Sequence, residues 1–515
     1  MQMHNKTNSV FLLLALALVT AGCSAGEAPK TPDASGKPAA AGTGGAENKA
    51  PLKITMAWPL YNELPDMKNA FWTEFKKRTN VDLDIQWIPS GNYNQKLELM
   101  LATGDIPEVI AGIGTNVPTF YKAIENGMFW DLTPLLGDFS KYPNFKKNAE
   151  TGVYDYNKVN GKIYSIPRMR SQIHSSIHMR KDWLDKLGIP APKTLDEFRE
   201  TLKKLVKANP NGQGTIGYSG YGVSIMDDSF KPAFGIYDPT YDKDGGLIRD
   251  ILTPQYADMV EYFRGLYADG SLPKEFATMK EKQAEDLFAA GKAASYGRVV
   301  SRDWQYTETN RKIDPNAYVR SLKLKGPKGY AINLRQNFAP GLYISKKVPE
   351  AKVKQILDYL ESTATKEFLK FGEYGIEGVH YNMVNGYPKM TEQGFKEMVI
   401  SSYDTFVVTY DSGFKIRNVN APPEYNKETE EMVKDYLEIG KVNPFSWLLS
   451  TTFSDVWPKY SDEYESKTVQ AIIGSIPMEQ FRSYQAELVN KPELKKAFQE
   501  YAKAEKEFKA GQSKK

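Results

Sequence analysis

The chain has 515 residues, 41% of them hydrophobic and 25% charged, with a formal net charge of +4 and a single cysteine. That length supports two large lobes or three smaller ones, each with its own buried core. Balanced, dispersed charge gives no footprint for nucleic acid, and one cysteine excludes a disulfide framework, so stability has to come from packing.

The first element in chain order is the apolar run Val10–Val19, about half of the ~20 residues needed to cross a hydrocarbon core. Lys6, this short run and the small residues Ala21 and Gly22 ahead of Cys23 read as a secretory signal peptide over residues 1–22. The junction resembles the lipobox of bacterial lipoproteins, which implies that Cys23 is acylated and becomes the first mature residue. Thr20 departs from the leucine usual there. Residues 23–51 continue as Cys23 and an Ala-, Gly- and Pro-rich stretch without aromatics, expected to be a flexible tether. At ~5–6 Å times the square root of its length, it spans roughly 30 Å.

Beyond Leu52 the pattern changes. LKITMAW reads as a strand, and FWTEFKKRTN as a helix with Phe71, Trp72 and Phe75 at helical spacing. VDLDIQWIP alternates as a strand, YNQKLELMLATGD is helical and ends at Gly104, and PEVIAGIG is a short apolar strand. This β-α-β-α-β order predicts a parallel sheet covered by helices. A second α/β lobe is expected to start near Ser165–Arg170, with helices at RKDWLDKLG and TLDEFRETLKKLVKAN, the latter opened by a capping box of Thr194 and Glu197. The last third holds long amphipathic helices, KETEEMVKDYLEIGK and KPELKKAFQEYAKAEKEFKAG.

Catalytic motifs are sparse. His174 and His178 stand four apart in the expected strand QIHSSIHMR, which at ~3.3 Å per residue keeps them about 13 Å apart, too far to chelate one ion. GTIGYSGYG lacks the Walker ending, the G-x-G-x-x-G order and the G-x-S-x-G elbow, and reads as a loop or hairpin. ANPNGQGTIG has the rhythm of a calcium loop but brings amides where carboxylates are needed, and TYDKDGG reads as a turn around Asp244 and Gly245. A glycosidase carboxylate pair is invisible in sequence and stays open. Aromatics beside loop residues are Trp58, Tyr61, Trp304, Trp447 and Trp457, the residue types that stack on sugar rings, against the plainer role of filling helix–sheet cores.

Several segments together, LMLATGDIPEVI, NGMFWDLTPLL, VNGKIYSIPR, HMRKDWLDKLGIPAPKTLDEF, LFAAGKAASYG and GIEGVHY, resemble in their order the family 1 extracellular solute-binding proteins of ABC importers, in particular the lipoprotein subgroup of Gram-positive bacteria. The resemblance implies an α/β, two-lobed periplasmic-binding-protein-like fold of type II. Its hinge-linked lobes hold the ligand in a cleft. It implies a lipid-anchored protein on the extracellular face of the cell membrane. There it delivers a carbohydrate, an oligosaccharide in the most similar members, to transmembrane permease subunits driven by a separate ATPase. The alternatives are a peptide or other small-solute receptor and a cell-surface polysaccharide hydrolase or lyase. The expected organisation is a body over 52–515, lobe one at 52–165 plus 330–370 and lobe two at 166–329 plus 371–515. No enzyme activity or cofactor is expected, and no metal either, the calcium loop that some members carry lacking its carboxylates here. Expected ligand contacts are Gly104 and Asp105 on a cleft loop, Glu377 in a late hinge segment, and hydrophobic walls from Trp58, Tyr61, Trp304 and Tyr374. Arg168, Arg170, Arg298 and Arg302 could clamp carboxylates of an acidic ligand or form ion pairs instead.

Overall fold

The computed structural model describes residues 50–61, 63–113, 117–336, 338–398 and 420–512, and from Ala50 onward the chain holds together as one unit. The expected signal peptide, Cys23 and the expected tether up to residue 49 lie outside the described residues. Among the described residues no helix is long and apolar enough to cross a membrane.

β1 (Leu52–Leu60) pairs in parallel with β2 (Val81–Pro89), Trp58 opposite Trp87, and with β3 (Val109–Ala111). Between them run α1 (Ala70–Thr79) and α2 (Ser90–Thr103). Asn69 caps α1 by accepting the Trp72 N–H at 3.0 Å. Gly104, at φ +68°, closes α2 in the left-handed region that glycine enters without strain. The hairpin of β4 (Lys158–Val159) and β5 (Lys162–Ile163) leads to β6 (Ser165–Met169).

The chain then crosses into a second sheet. It contains β7 (Ile173–Arg180), β8 (Ile216–Ser219), β9 (Ala293–Val299), β10 (Val319–Leu322) and β11 (Asn333–Leu334). β12 (Phe338–Ile344) returns to the first sheet, followed by the hairpin β13 (Tyr381–Val384) and β14 (Tyr387–Met390) and by β15 (Lys441–Val442). The first sheet has the order β2-β1-β3-β12-β6; the second has β15-β11-β7-β9-β8, with β10 also on β7. Two separate apolar cores accompany them, one around Trp58, Phe71, Phe120 and Tyr343, the other around Phe198, Tyr218, Phe263 and Phe498.

Strand direction fixes what the lobes present to each other. β12 is antiparallel to β3 and to β6, so β1, β3 and β6 all end at the edge where the chain crosses at Arg170–Gln172. β7 starts from that crossing and is antiparallel to β9, β10 and β11, while β8 follows β9, so these strands also end at the crossing side. Both sheets therefore turn their carboxyl edges toward the crossing segments, the place where open α/β sheets bind ligands. The two crossings are tied together: the Arg335 N–H donates to Gln172 O at 2.8 Å and its Nε to Ser171 O at 2.9 Å. Elsewhere the lobes touch through Tyr156, whose ring centre lies 5.0 Å from Phe508 and 5.6 Å from Trp447.

The expected lobe bounds shift. β6 belongs to the first sheet, where it pairs with β12, so lobe one runs to Met169 rather than 165. β11 pairs with β7 in the second sheet, so the return comes after Leu334 rather than at 330. Residues 371–398 stay with lobe one: Phe371 stacks on Phe71 at 4.6 Å, and Glu397 accepts the Ala70 N–H at 3.0 Å at the start of α1. The passage back to lobe two, between Met398 and Asn420, lies outside the described residues.

Candidate functional site

At the carboxyl edge of the second sheet lies a cavity of about 330 Å³ lined by Tyr221, Asp227, Asp228, Lys231, Arg298 and Trp457, with Glu465 at its side. That is near the lower end of small-molecule pockets, ~300–1,000 Å³, room for a short ligand unit.

The residues around it are held by close packing. β8 ends at Ser219, and Gly220 turns the chain: a Cβ there would meet Ile225 Cα at 2.7 Å. On the neighbouring β9, a Cβ on Gly297 would strike the Tyr218 hydroxyl at 2.7 Å and Asp227 Cβ at 2.8 Å. The bare backbone at these two positions lets Asp227 sit against the strand end. Its carboxylate accepts the Ser229 N–H at 2.8 Å and the Ser229 hydroxyl. Burial pushes its pKa up, and the two Ser229 hydrogen bonds only partly oppose that.

Beside it Asp228 pairs with Lys231 at 2.8 Å, and Lys231 Nζ lies 3.7 Å from Asp250. Burial works against the charged ammonium, yet Asp250 and Asp228 raise the lysine's pKa above its ordinary value. Asp250 is buried too; Arg249 and Lys231 outweigh that burial and hold it below the usual carboxylate range. Arg298, leaving the end of β9, is in an ion pair with Glu281 at 2.5 Å. Aromatic surface comes from half-buried Tyr221 and from Trp457, which stacks on Phe453 at 5.2 Å and meets Tyr464 edge-on at 5.4 Å. The cavity thus combines apolar ring area with fixed carboxylate and hydroxyl groups, the pairing that a polyhydroxylated ring needs.

Next to the crossing, His174 at the start of β7 has its pKa lowered to about 4, first by desolvation and then by Arg335, against the opposite pull of Asp228. His178, four residues on, is buried with its Nδ1 against the Asp303 carboxylate, and Ser321 Oγ sits 2.9 Å from the same carboxylate. The two histidines serve different partners, and among the described residues no group of three or more His, Cys, Asp or Glu comes together as a metal site.

Of the residues expected at the ligand, the structure brings only Arg298 to this cavity. Trp58 is completely buried in the first core, with the Arg168 guanidinium 4.8 Å above its ring. From Met56 to Pro59 this central strand is buried on both faces, which leaves the side chains there no exposed side. Trp304 lies in the helix Asp303–Arg311, buried edge-on against Tyr425 at 4.9 Å and beneath Arg311. Tyr374 is buried against Tyr381 at 5.5 Å; Glu377 pairs with Lys370 at 3.2 Å on the surface of lobe one. Gly104 and Asp105 precede β3, and the loop before a parallel strand lies at the amino edge, away from the crossing. There Gly104 O accepts from Lys347 Nζ at 2.7 Å. Arg302 pairs with Glu285 at 2.8 Å. Tyr61, 54% exposed just past β1, and Arg170, at the crossing, do lie at the carboxyl edge of lobe one.

Asp227, Asp228, Lys231, Tyr221 and Glu465 carry no sequence motif. Trp457 stood out only as an aromatic near a loop, and GTIGYSGYG proved to be β8 followed by the turn that floors the cavity.

A family model described as bacterial extracellular solute-binding protein matches residues 61–367. The polygalacturonan/rhamnogalacturonan-binding protein YtcQ of Bacillus subtilis strain 168 is 29% identical across 98% of this chain and 100% of its own length. Lipoprotein LipO of the same organism is 29% identical over 74% of this chain and 75% of its own. Among solved structures, the Streptococcus pneumoniae ABC-transporter substrate-binding protein FusA in complex with kestose superposes with a TM-score of 0.66 at 18% identity, covering 90% of this chain and 100% of that one. These structures share the expected two-lobed, periplasmic-binding-protein-like architecture. With both carboxyl edges facing the crossings and the family model spanning lobes one and two, the chain belongs to the bacterial extracellular solute-binding protein family, whose members hold a solute rather than transform it.

Proposed function

We propose that the protein is the carbohydrate receptor of an ABC importer. It is lipid-anchored through Cys23 on the extracellular face of the cell membrane and hands an oligosaccharide to permease subunits powered by a separate ATPase. The observation that carries this reading is the cavity at the carboxyl edge of lobe two, where Trp457 and Tyr221 stand beside Asp227 and Asp228. A sugar presents apolar C–H faces and hydroxyl donors to the same wall. The curated relatives support the solute class, since YtcQ is named for polygalacturonan and rhamnogalacturonan and FusA for fructooligosaccharide. Cys23 behind its small residues and short apolar run supports the anchor. On this reading Tyr61 and Arg170, at the carboxyl edge of lobe one, meet the ligand as the lobes close.

The test is a thermal-shift panel of neutral and acidic oligosaccharides, peptides and polyamines on the chain carrying Cys23→Ser, with product assayed in the same mixtures. A saccharide at 100 times its Kd adds ~2.7 kcal/mol through linkage. A shift from peptides alone, or turnover of a saccharide, would refute the reading. In cells, Cys23→Ser should release the protein into the medium; retention at the membrane would remove the anchor from the proposal.

A further inference from the structure

We infer that the lobe-two cavity receives an uncharged, hydroxyl-rich sugar unit and turns away one that bears a carboxylate. This rests on the carbohydrate reading above and narrows it.

Three carboxylates line the cavity, Asp227, Asp228 and Glu465, against two cations, Lys231 and Arg298. Both cations are already engaged. Arg298 Nη1 lies 2.5 Å from Glu281, and Lys231 Nζ lies 2.8 Å from Asp228 and 3.7 Å from Asp250. Among the described residues neither Asp227 nor Glu465 is in an ion pair, so the charge left over at the lining is negative. A uronate reaching this wall meets like charge; Arg298 Nη1 is held by Glu281, and its Nε, though without a hydrogen-bond partner among the described residues, is buried, so a uronate could recruit the guanidinium only by displacing it. A bidentate carboxylate clamp needs a guanidinium edge that is not committed elsewhere.

A neutral ring meets the opposite situation. An ionised carboxylate only accepts hydrogen bonds, and each sugar hydroxyl can donate one. Asp228, whose side chain is 53% exposed and braced by Lys231, is presented for that role. Asp227, oriented by the Ser229 N–H at 2.8 Å, adds a second carboxyl group to the same wall.

The experiment is titration calorimetry on the chain carrying Cys23→Ser with matched pairs of oligosaccharides. Each pair has one backbone, once as the uronate and once carboxyl-reduced, in galacto, gluco and manno series. In every series that binds, the neutral member should bind about tenfold or more tightly. Repulsion between like charges is screened by salt, so uronate affinity should rise with ionic strength. Glu465→Lys, on an exposed helix position, should narrow the neutral-to-uronate ratio at least severalfold without altering the melting curve. Tighter binding of the uronate member, uronate affinity that falls as salt is added, or a ratio untouched by Glu465→Lys would each overturn the inference while leaving the carbohydrate reading in place. Binding of none of the saccharides would instead remove the carbohydrate reading, and the inference with it.

Discussion

Trp58→Ala separates a ligand platform from a core residue. The indole is fully buried in the middle strand of three parallel ones, faces Trp87 on β2 in register, and lies under the Arg168 guanidinium at 4.8 Å. Truncating a buried Trp or Phe to Ala costs about 3–5 kcal/mol through lost burial and the cavity left behind. A desolvated cation–π contact of ~2 kcal/mol places Trp58 at the upper end of that range. Its Nε1 has no hydrogen-bond partner among the described residues. Trp58→Phe therefore breaks no hydrogen bond and should cost much less, about 1–2 kcal/mol from volume alone. Urea unfolding of wild type, Trp58→Phe and Trp58→Ala, followed by far-UV circular dichroism, should rank them in that order. Calorimetry with the best saccharide from the panel should find the affinity of Trp58→Phe unchanged. A loss under ~1 kcal/mol for Trp58→Ala together with a tenfold or larger loss of affinity would refute the placement and return the ring to the ligand.

Three further outcomes are expected. His174 titrates near pH 6.5 when unfolded and at about 4 when folded, so the unfolded chain binds the extra proton first and stability should fall as pH drops from 6.5 toward 4. His174→Gln should flatten that part of the melting-temperature profile, and an unchanged slope would show that another group is responsible. Phe508→Ala removes the lobe-two ring that meets Tyr156 of lobe one at 5.0 Å. An aromatic pair is worth ~0.5–1.5 kcal/mol, so saccharide affinity should fall about two- to tenfold and the small-angle scattering radius should grow; no change in either would exclude a part in closure. In the loop after Leu195–Ala208, Asn209 Oδ1 already accepts the Gly214 and Thr215 N–H groups at 2.9 and 3.0 Å. A chelator should therefore leave the melting temperature in place, and Asn209→Ala should lower it by ~1–2 kcal/mol of stability; a large chelator effect would contradict this account.

Much of the fold was legible because local signals and tertiary packing agree. Phe71, Trp72 and Phe75 are all buried on α1, and the Glu197 N–H does bond to Thr194 Oγ, at 3.1 Å. The second half of the expected capping box differs: Glu197 reaches the Lys193 N–H at 2.7 Å, one residue earlier. β2 is the edge strand, which explains why Leu83, Ile85 and Trp87 are only partly buried despite their alternation. Lobe bounds were less legible because β6 and β11 are assigned by their partners. Nothing in SIPRM says that it pairs with β12 rather than starting a new sheet.

The site was less legible still, for a reason that lies in the topology. Which loop reaches the ligand depends on which edge of a parallel sheet it occupies, and sequence spacing does not distinguish a βα loop from an αβ loop once strand ends are uncertain by a residue or two. Gly104 and Asp105 sit in the loop before β3, whereas Gly112, directly after β3, stands at the crossing edge. The same argument sorts the aromatics. Trp58 lies within β1 and is buried with it, while Tyr61, three residues on, has left the strand and is exposed. Asp227 reaches its place only because Gly297, on a strand seventy residues later, has no side chain to occupy it. Gly297→Ala should therefore act on the cavity before it acts on the fold. The added methyl, 2.8 Å from Asp227 Cβ, has to push the carboxylate off Ser229, so saccharide affinity should fall well beyond what the ~1–3 kcal/mol of overpacking takes from stability. If Gly297→Ala lowers stability by the same amount but binds sugar normally, Asp227 is a structural anchor and the ligand is met by Asp228 and Trp457 alone.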